Sequence, residues 1–311
     1  MTSPKTYIKA ASVTQAISCA TGHTGNFRYL AGGTDVMVNK FQGNDEASLL
    51  IDISEISDLK GIAINDSFVR IGALTSLEEL IVHPLVTRYF PVMAEAAKSV
   101  ASPIIRKTAT LGGNLLCENR CSFYNQSEWW RDAAGHCLKC DGPICLATGG
   151  NKNCFSKFVS DTAVALIGLN ASIEVADNDG VVVIPLEIIY TGDGINPRRL
   201  SKTAIINAIL LPLGEDCRTI YKKLRKRETL DFTSLTSAVS FHNDGRIRIV
   251  LGGVHAQPVI VDGSVTDDLP YLISRAVSTT RIVDNDTYSR TYRKEMVGVF
   301  LNRSFKELQL I

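Results

Sequence analysis

The chemistry-bearing residues of this 311-residue chain are its cysteines, and they are unevenly placed. Cys19 and Cys217 stand alone, whereas Cys117, Cys121, Cys137, Cys140, Cys145 and Cys154 fall within 38 residues. A disulfide framework would staple a small secreted chain throughout, which this distribution does not do, so metal ligation by thiolates is the better reading. Thiolate sets suit either Zn²⁺ or an iron–sulfur cluster, and the spacings alone do not choose between them. Within the cluster, Cys137-x2-Cys140 is the one short pair and favours zinc. Cys117 reads equally well as a buried small apolar residue.

Two glycine loops are the second chemical signal. Leu30-Ala31-Gly32-Gly33-Thr34-Asp35 follows an expected strand, and Thr110-Leu111-Gly112-Gly113-Asn114 follows a helical stretch ending in Arg106 and Lys107. Paired glycines let backbone N–H groups approach a phosphate without interference from Cβ, and Thr34, Thr110 and Asn114 add polar side chains. Two such loops suit the two phosphates of one dinucleotide; each alone also reads as a structural turn. Neither fits G-x-G-x-x-G and no P-loop motif occurs, which disfavours a Rossmann domain and a P-loop.

Other chemistries find little support. The five histidines (His23, His83, His136, His242, His255) show no H-x-x-x-H or H-E-x-x-H spacing, no G-x-S-x-G occurs, and Glu78-Glu79 reads as a solvated helix face. With 33 Lys+Arg against 32 Asp+Glu, no whole-chain field exists to hold nucleic acid or an anionic membrane. No apolar run reaches the ~18 residues of a membrane span. The N-terminus carries Lys5 and Lys9 without a continuous apolar segment, so an untargeted cytoplasmic protein is expected.

The elements that position these residues read as α+β. Helices are expected near Val13–Cys19, Ser76–Ile81 and Pro91–Ser99, and strands at Arg28–Leu30, Leu49–Ile53 and Phe68–Ile71. Residues 115–160 hold six cysteines and both tryptophans with no sustained period, so an irregular loop ordered by something other than a hydrophobic core is expected. Trp129 and Trp130 would shield a metal site or anchor that loop. An apolar run follows from Thr162. Then comes a strand pair, Ser172–Ala176 and Val181–Pro185, turned by Asp177-Asn178-Asp179-Gly180. A turn-rich stretch, Tyr190–Arg199, leads to a strand near Ala204–Leu211, and a domain boundary is expected near Pro212 to Asp216. Beyond it, Thr233–Phe241, Ile247–Leu251 and Leu269–Val277 suggest strands with helices on one face.

At this point the residues meet a family. AGGTD, the run from IGALTSLEELIVHPLV to RKTATLGGNL, and LGGVHAQPV at Leu251–Val259 together resemble the FAD-binding subunit of the molybdenum hydroxylase (xanthine dehydrogenase) family over almost the whole chain. The resemblance implies a two-lobed FAD-binding domain over 1–212 and an α+β C-terminal flavoprotein domain over 213–311. It implies FAD contacts from Leu30, Ala31, Gly32, Gly33, Thr34, Asp35, Thr110, Gly112, Gly113 and Asn114. Asp161 resembles the aspartate after the second loop, and Lys223, in YKKLRKRETLDF, the lysine near the flavin ring, where a cation would stabilise a reduced flavin.

The segment CENRCSFYNQSEWWRDAAGHCLKCDGPICLATGGNKNC is an insertion relative to ordinary members, at about 115–160. It resembles one subfamily, the β subunit of 4-hydroxybenzoyl-CoA reductase, with RCSFYNQSEWWR the nearest stretch. That resemblance implies a [4Fe-4S] cluster on Cys121, Cys137, Cys145 and Cys154, an electron-relay role, and substrate chemistry on another chain. The implied partners are a large molybdopterin subunit, a small subunit with two [2Fe-2S] clusters, and a ferredoxin-like donor. The alternative is a xanthine dehydrogenase-type FAD subunit that passes electrons to NAD, with structural zinc in the insertion.

Overall fold

The computed structural model describes residues 6–214 and 217–311. The first unit is a parallel sheet of β1 (Thr6–Lys9), β2 (Phe27–Leu30) and β3 (Leu49–Asp52), in the order β1-β3-β2. Leu49, Leu50 and Ile51 make β3 apolar on both faces, which suits the central position of a parallel sheet, and all four of its residues are buried. Helix α1 (Val13–Thr21) covers one face, capped by the Ser12 hydroxyl accepting from Gln15 N–H, and packs Ala16, Ile17 and Ala20 against Leu49 and Ile51. The short helix α2 (Val36–Phe41) follows the first glycine loop.

A five-stranded antiparallel sheet comes next, ordered β4-β5-β8-β6-β7. Its strands are β4 (Ile62–Ile64), β5 (Phe68–Gly72), β6 (Ser172–Asp177), β7 (Gly180–Pro185) and β8 (Ile205–Pro212). Four helices intervene between β5 and the second glycine loop: α3 (Leu77–Val82), α4 (Pro84–Tyr89), α5 (Pro91–Lys98) and α6 (Pro103–Arg106). Three of them begin on proline, whose missing N–H costs nothing at a first turn. The second glycine loop itself forms the one-turn helix α7 (Leu111–Leu115). Residues 116–160 are largely irregular, as expected, apart from α8 (Glu128–Ala134) and a 3-10 turn at Leu138–Cys140.

The apolar run after Thr162 is helix α9 (Asp161–Gly168), buried at all eight positions. A helix apolar all round belongs inside a protein, and α9 packs against α5 and against three strands of a third sheet. That sheet is antiparallel, β12-β11-β10-β9, with β9 (Cys217–Leu224), β10 (Leu235–His242), β11 (Arg246–Gly252) and β12 (Val259–Ser264). Helices α10 (Leu269–Thr279) and α11 (Arg290–Glu307) close its far face over Leu272, Val297, Leu301 and Phe305. Leu269–Val277 is thus a helix on the sheet. The chain leaves the second sheet at Pro212 and enters the third at Cys217; Glu215 and Asp216, at the end of the expected boundary, lie outside the described residues. Among the described residues no helix is long and apolar enough to cross a membrane.

Candidate cofactor cleft and cysteine cavity

Both glycine loops open onto one cleft of about 790 Å3. Ala31, Gly32, Gly33, Thr34 and Asp35 line it from the loop after β2, and Thr110, Gly112, Gly113 and Asn114 from α7 and its cap. The glycines are required by geometry. A Cβ on Gly32 would lie 1.7 Å from the Thr108 carbonyl oxygen, so the two loops meet backbone to backbone, and Gly33 sits at φ +72°. A Cβ on Gly112 would come within 2.8 Å of that of Ala73. The Thr110 hydroxyl caps α7 by accepting from Gly113 N–H at 3.1 Å. Asn114 fastens the loop to α9, its Oδ1 accepting from the Thr162 hydroxyl at 2.6 Å and the Ser160 hydroxyl at 3.0 Å.

Leu30 and Lys223 are placed differently. Leu30 ends β2 behind the loop and is not in the cleft wall. Asp161, the first residue of α9, does line the cleft, and Lys223 on β9 lies behind it, its Nζ 2.5 Å from Asp161 Oδ2 and 3.0 Å from the Ser99 carbonyl oxygen. Both side chains are about 5% exposed, so this is a buried ion pair. Asp161 Oδ1 also accepts from the Thr236 hydroxyl at 2.9 Å.

The basic groups of the cleft wall are largely committed already. Arg28 pairs with Asp45, Arg120 with Asp35, and Arg198 with Glu118 and the Cys117 carbonyl. A diphosphate in this cleft would therefore be met chiefly by backbone N–H groups of the glycine loops. Three cleft-lining residues carry buried polar atoms without a protein partner: Asn39 Oδ1, Asn44 Oδ1 and Arg198 Nε. Unpartnered buried atoms of this kind expect a bound group, and the cleft lies in the size range of cofactor sites. Sequence reasoning missed all three residues because they belong to no motif; only their place around the cleft reveals them.

A second, much smaller cavity, of about 10 Å3, is lined by Cys121, Cys137, Cys145 and Cys154. The four cysteines carried over from the resemblance are brought together, and Cys117 and Cys140 do not line this cavity. The space equals about one water as it stands, and among the described residues no three His, Cys, Asp or Glu side chains are grouped so as to hold a metal ion. A polynuclear group would need more space than these thiols enclose here. The donor set is all sulfur, chemically suited to iron–sulfur or zinc. A hydrogen bond from the Cys140 thiol draws the pKa of the Cys137 thiol below its ordinary value, and burial pushes that of Cys121 up to about 11. Burial likewise raises Cys117, to about 12, as befits an inert thiol.

The insertion is fastened to the first glycine loop and to the end of the helix that follows it. Asp35 accepts from Glu118 N–H at 3.0 Å and pairs with Arg120. Arg131 of α8 donates to the Gln42 carbonyl at 2.9 Å, just past α2. Arg131 is buried, while Trp129 is 77% exposed, so the anchor of α8 is the arginine and this tryptophan neither anchors nor shields.

A glycine-lined cleft between a small parallel sheet and an antiparallel sheet, closed behind by a buried helix, defines a subunit built to hold a dinucleotide cofactor. The family model described as the FAD binding domain in molybdopterin dehydrogenase matches residues 2–214. The aldehyde oxidoreductase FAD-binding subunit PaoB of Escherichia coli K12 is 30% identical over 241 residues, covering 74% of this chain and 76% of its own. The glyceraldehyde dehydrogenase medium chain of Sulfolobus acidocaldarius is 22% identical over 97% of each chain. Among solved structures, a chain of carbon monoxide dehydrogenase from Hydrogenophaga pseudoflava superposes with a TM-score of 0.79 at 20% identity, over 98% of this chain and 97% of its own. The chain belongs to the family of FAD-binding subunits of molybdenum hydroxylases.

Proposed function

We propose that this chain is the FAD and [4Fe-4S] electron-transfer subunit of a 4-hydroxybenzoyl-CoA reductase-like complex. In this reading FAD lies in the cleft, with its diphosphate on Ala31–Asp35 and Thr110–Asn114, and a cluster is held by Cys121, Cys137, Cys145 and Cys154. The observation that carries it is the meeting of those four cysteines, drawn from 34 residues of irregular chain, around one cavity beside the cleft. The flavin supplies a centre able to exchange electrons singly or in pairs. The chain's own residues bind and orient it: glycine backbone meets phosphate, and the Asp161–Lys223 pair holds α9 to β9 behind it.

The residues to Pro212 form the FAD-binding domain and those from Leu213 the C-terminal flavoprotein domain. The complex is cytoplasmic and includes a molybdopterin subunit, where substrate is transformed, and a [2Fe-2S] subunit. A ferredoxin-like carrier donates single electrons, which suits an extra one-electron centre, and a phenolic hydroxyl is removed reductively from an aromatic CoA thioester. The xanthine dehydrogenase reading keeps a claim, since the xanthine dehydrogenase FAD-binding subunit of Escherichia coli O157:H7 is 26% identical over 81% of this chain.

Metal and sulfide analysis of the anaerobically purified protein tests the cofactor. Iron with acid-labile sulfide, lost on Cys121→Ser, Cys137→Ser, Cys145→Ser or Cys154→Ser but kept on Cys117→Ser and Cys140→Ser, supports it; zinc in place of iron refutes it. For the complex, reduction of 4-hydroxybenzoyl-CoA with a low-potential donor and none with NADH is expected. Rapid flavin reduction by NADH would transfer the case to the xanthine dehydrogenase reading.

A further inference from the structure

Two residues line both the flavin cleft and the cysteine cavity: Tyr124 and Lys139. Each is tied by the chain to one side of the cysteine set. Tyr124 N–H donates to the Cys121 carbonyl at 3.1 Å, and Lys139 follows Cys137 by two residues. They also pack on one another, with Lys139 Nζ 4.8 Å from the centre of the Tyr124 ring, a cation over an aromatic face. Tyr124 is 7% exposed and the Lys139 side chain 6%, so this partition is closed to water.

The charge of the partition is not balanced within it. Lys139 Nζ lies 3.0 Å from Glu118 Oε2, and the same carboxylate has Arg198 at 3.8 Å from its other oxygen. Burial would raise the Glu118 carboxyl, but these two cations hold it below the usual carboxylate range. Arg120 is taken up by Asp35. Two cations therefore share one carboxylate, and one positive charge is left over at low dielectric beside four thiols. A thiolate-ligated cluster carries net negative charge, and the charges around it help set its reduction potential. A surplus cation walled off from water acts on it with less screening than one in solvent.

We propose that Tyr124 and Lys139 are the positioning residues of electron exchange between the two sites, the ring and aliphatic stem filling the gap between them and the ammonium making the cysteine-held group easier to reduce. The inference rests on the cluster proposed above. Each event moves one electron from the reduced cluster to the flavin; no bond forms or breaks, and the electron is replaced by the external one-electron donor.

The test uses the full chain with both cofactors loaded, iron, sulfide and flavin being counted first. Redox titration followed by electron paramagnetic resonance gives the cluster potential, and stopped-flow reduction with reduced methyl viologen gives the rate at which electrons reach the flavin. Lys139→Gln should make cluster reduction at least about tenfold less favourable, a downward shift of ~59 mV for a one-electron couple. Lys139→Arg should restore it, and Glu118→Gln should move the potential upward, which keeps the test open if Lys139→Gln fails to load. Tyr124→Leu should slow flavin reduction severalfold at unchanged potentials while Tyr124→Phe keeps the rate. Fully loaded variants with wild-type potentials and rates overturn the inference. A wild-type chain without iron overturns the reading on which it rests.

Discussion

Removing one member of the Asp161–Lys223 pair should cost far more than removing both. At 2.5 Å and an effective dielectric near 20, the attraction is ~7 kcal/mol. Burying the two ions costs several kcal/mol each, so the pair as a whole contributes little net stability. Asp161→Asn strands an ammonium whose remaining polar contact is the Ser99 carbonyl, and Lys223→Met strands a carboxylate left with the Thr236 hydroxyl. Each single variant should lose about 3–5 kcal/mol, and the double variant should lie within about 1–2 kcal/mol of wild type. Urea unfolding at pH 7, followed by far-ultraviolet circular dichroism on flavin-stripped protein, measures all four corners of the cycle. The pair joins α9 to β9, so the singles should also loosen flavin, read as its absorbance per chain after gel filtration. Additive losses in the double variant, or singles costing under 1 kcal/mol, would refute the reasoning.

The glycine loops should respond by position. Gly32→Ala should give flavin-depleted protein, because Thr108 backbone occupies the space of a Cβ, whereas Gly33→Ala finds room and should cost about 1–2 kcal/mol for its left-handed backbone, read from urea midpoints. A third prediction concerns acid. Burial pushes the Asp286 carboxyl up, but the Lys157 ammonium and the Tyr288 N–H outweigh this and hold it at about 2. Its folded value is below the unfolded one, so its stabilisation is complete above pH ~4 and lost as pH falls towards 2. After solvent screening this is about 1–2 kcal/mol. Asp286→Asn should flatten the stability profile in that window, and an unchanged acid limb would count against it.

How much was legible in the sequence follows from how local each signal is. The glycine pairs and the Asp177–Gly180 hairpin turn declare themselves because their backbone demands are met within a few residues. The α9 run shows no period because all its faces are buried, so its helical form depends on what surrounds it. Strand β9 mixes Arg218, Lys222 and Lys223 into its pattern because its charged residues find partners on other elements: the Leu308 carbonyl, Glu307 and Asp161. Helix α11 buries Arg293 against the Ser234 and Gly253 carbonyls, which breaks the apolar stripe a sequence pattern needs. At the site, motif residues were readable, whereas Asn39, Arg198, Tyr124 and Lys139 acquire meaning only from the cavities they line.

The contact of Asp35 with Glu118 N–H and Arg120 makes the first glycine loop and the start of the cysteine insertion share an edge. A shared edge gives the two sites a physical route to coupling, and any such coupling is reciprocal. Whatever factor flavin adds to the ordering of residues 115–160, an ordered insertion must return to flavin. If the cysteines hold a metal as proposed, stripping it should therefore show first as a weaker hold on a flavin that the stripping agent never touches, and refilling one site should help refill the other.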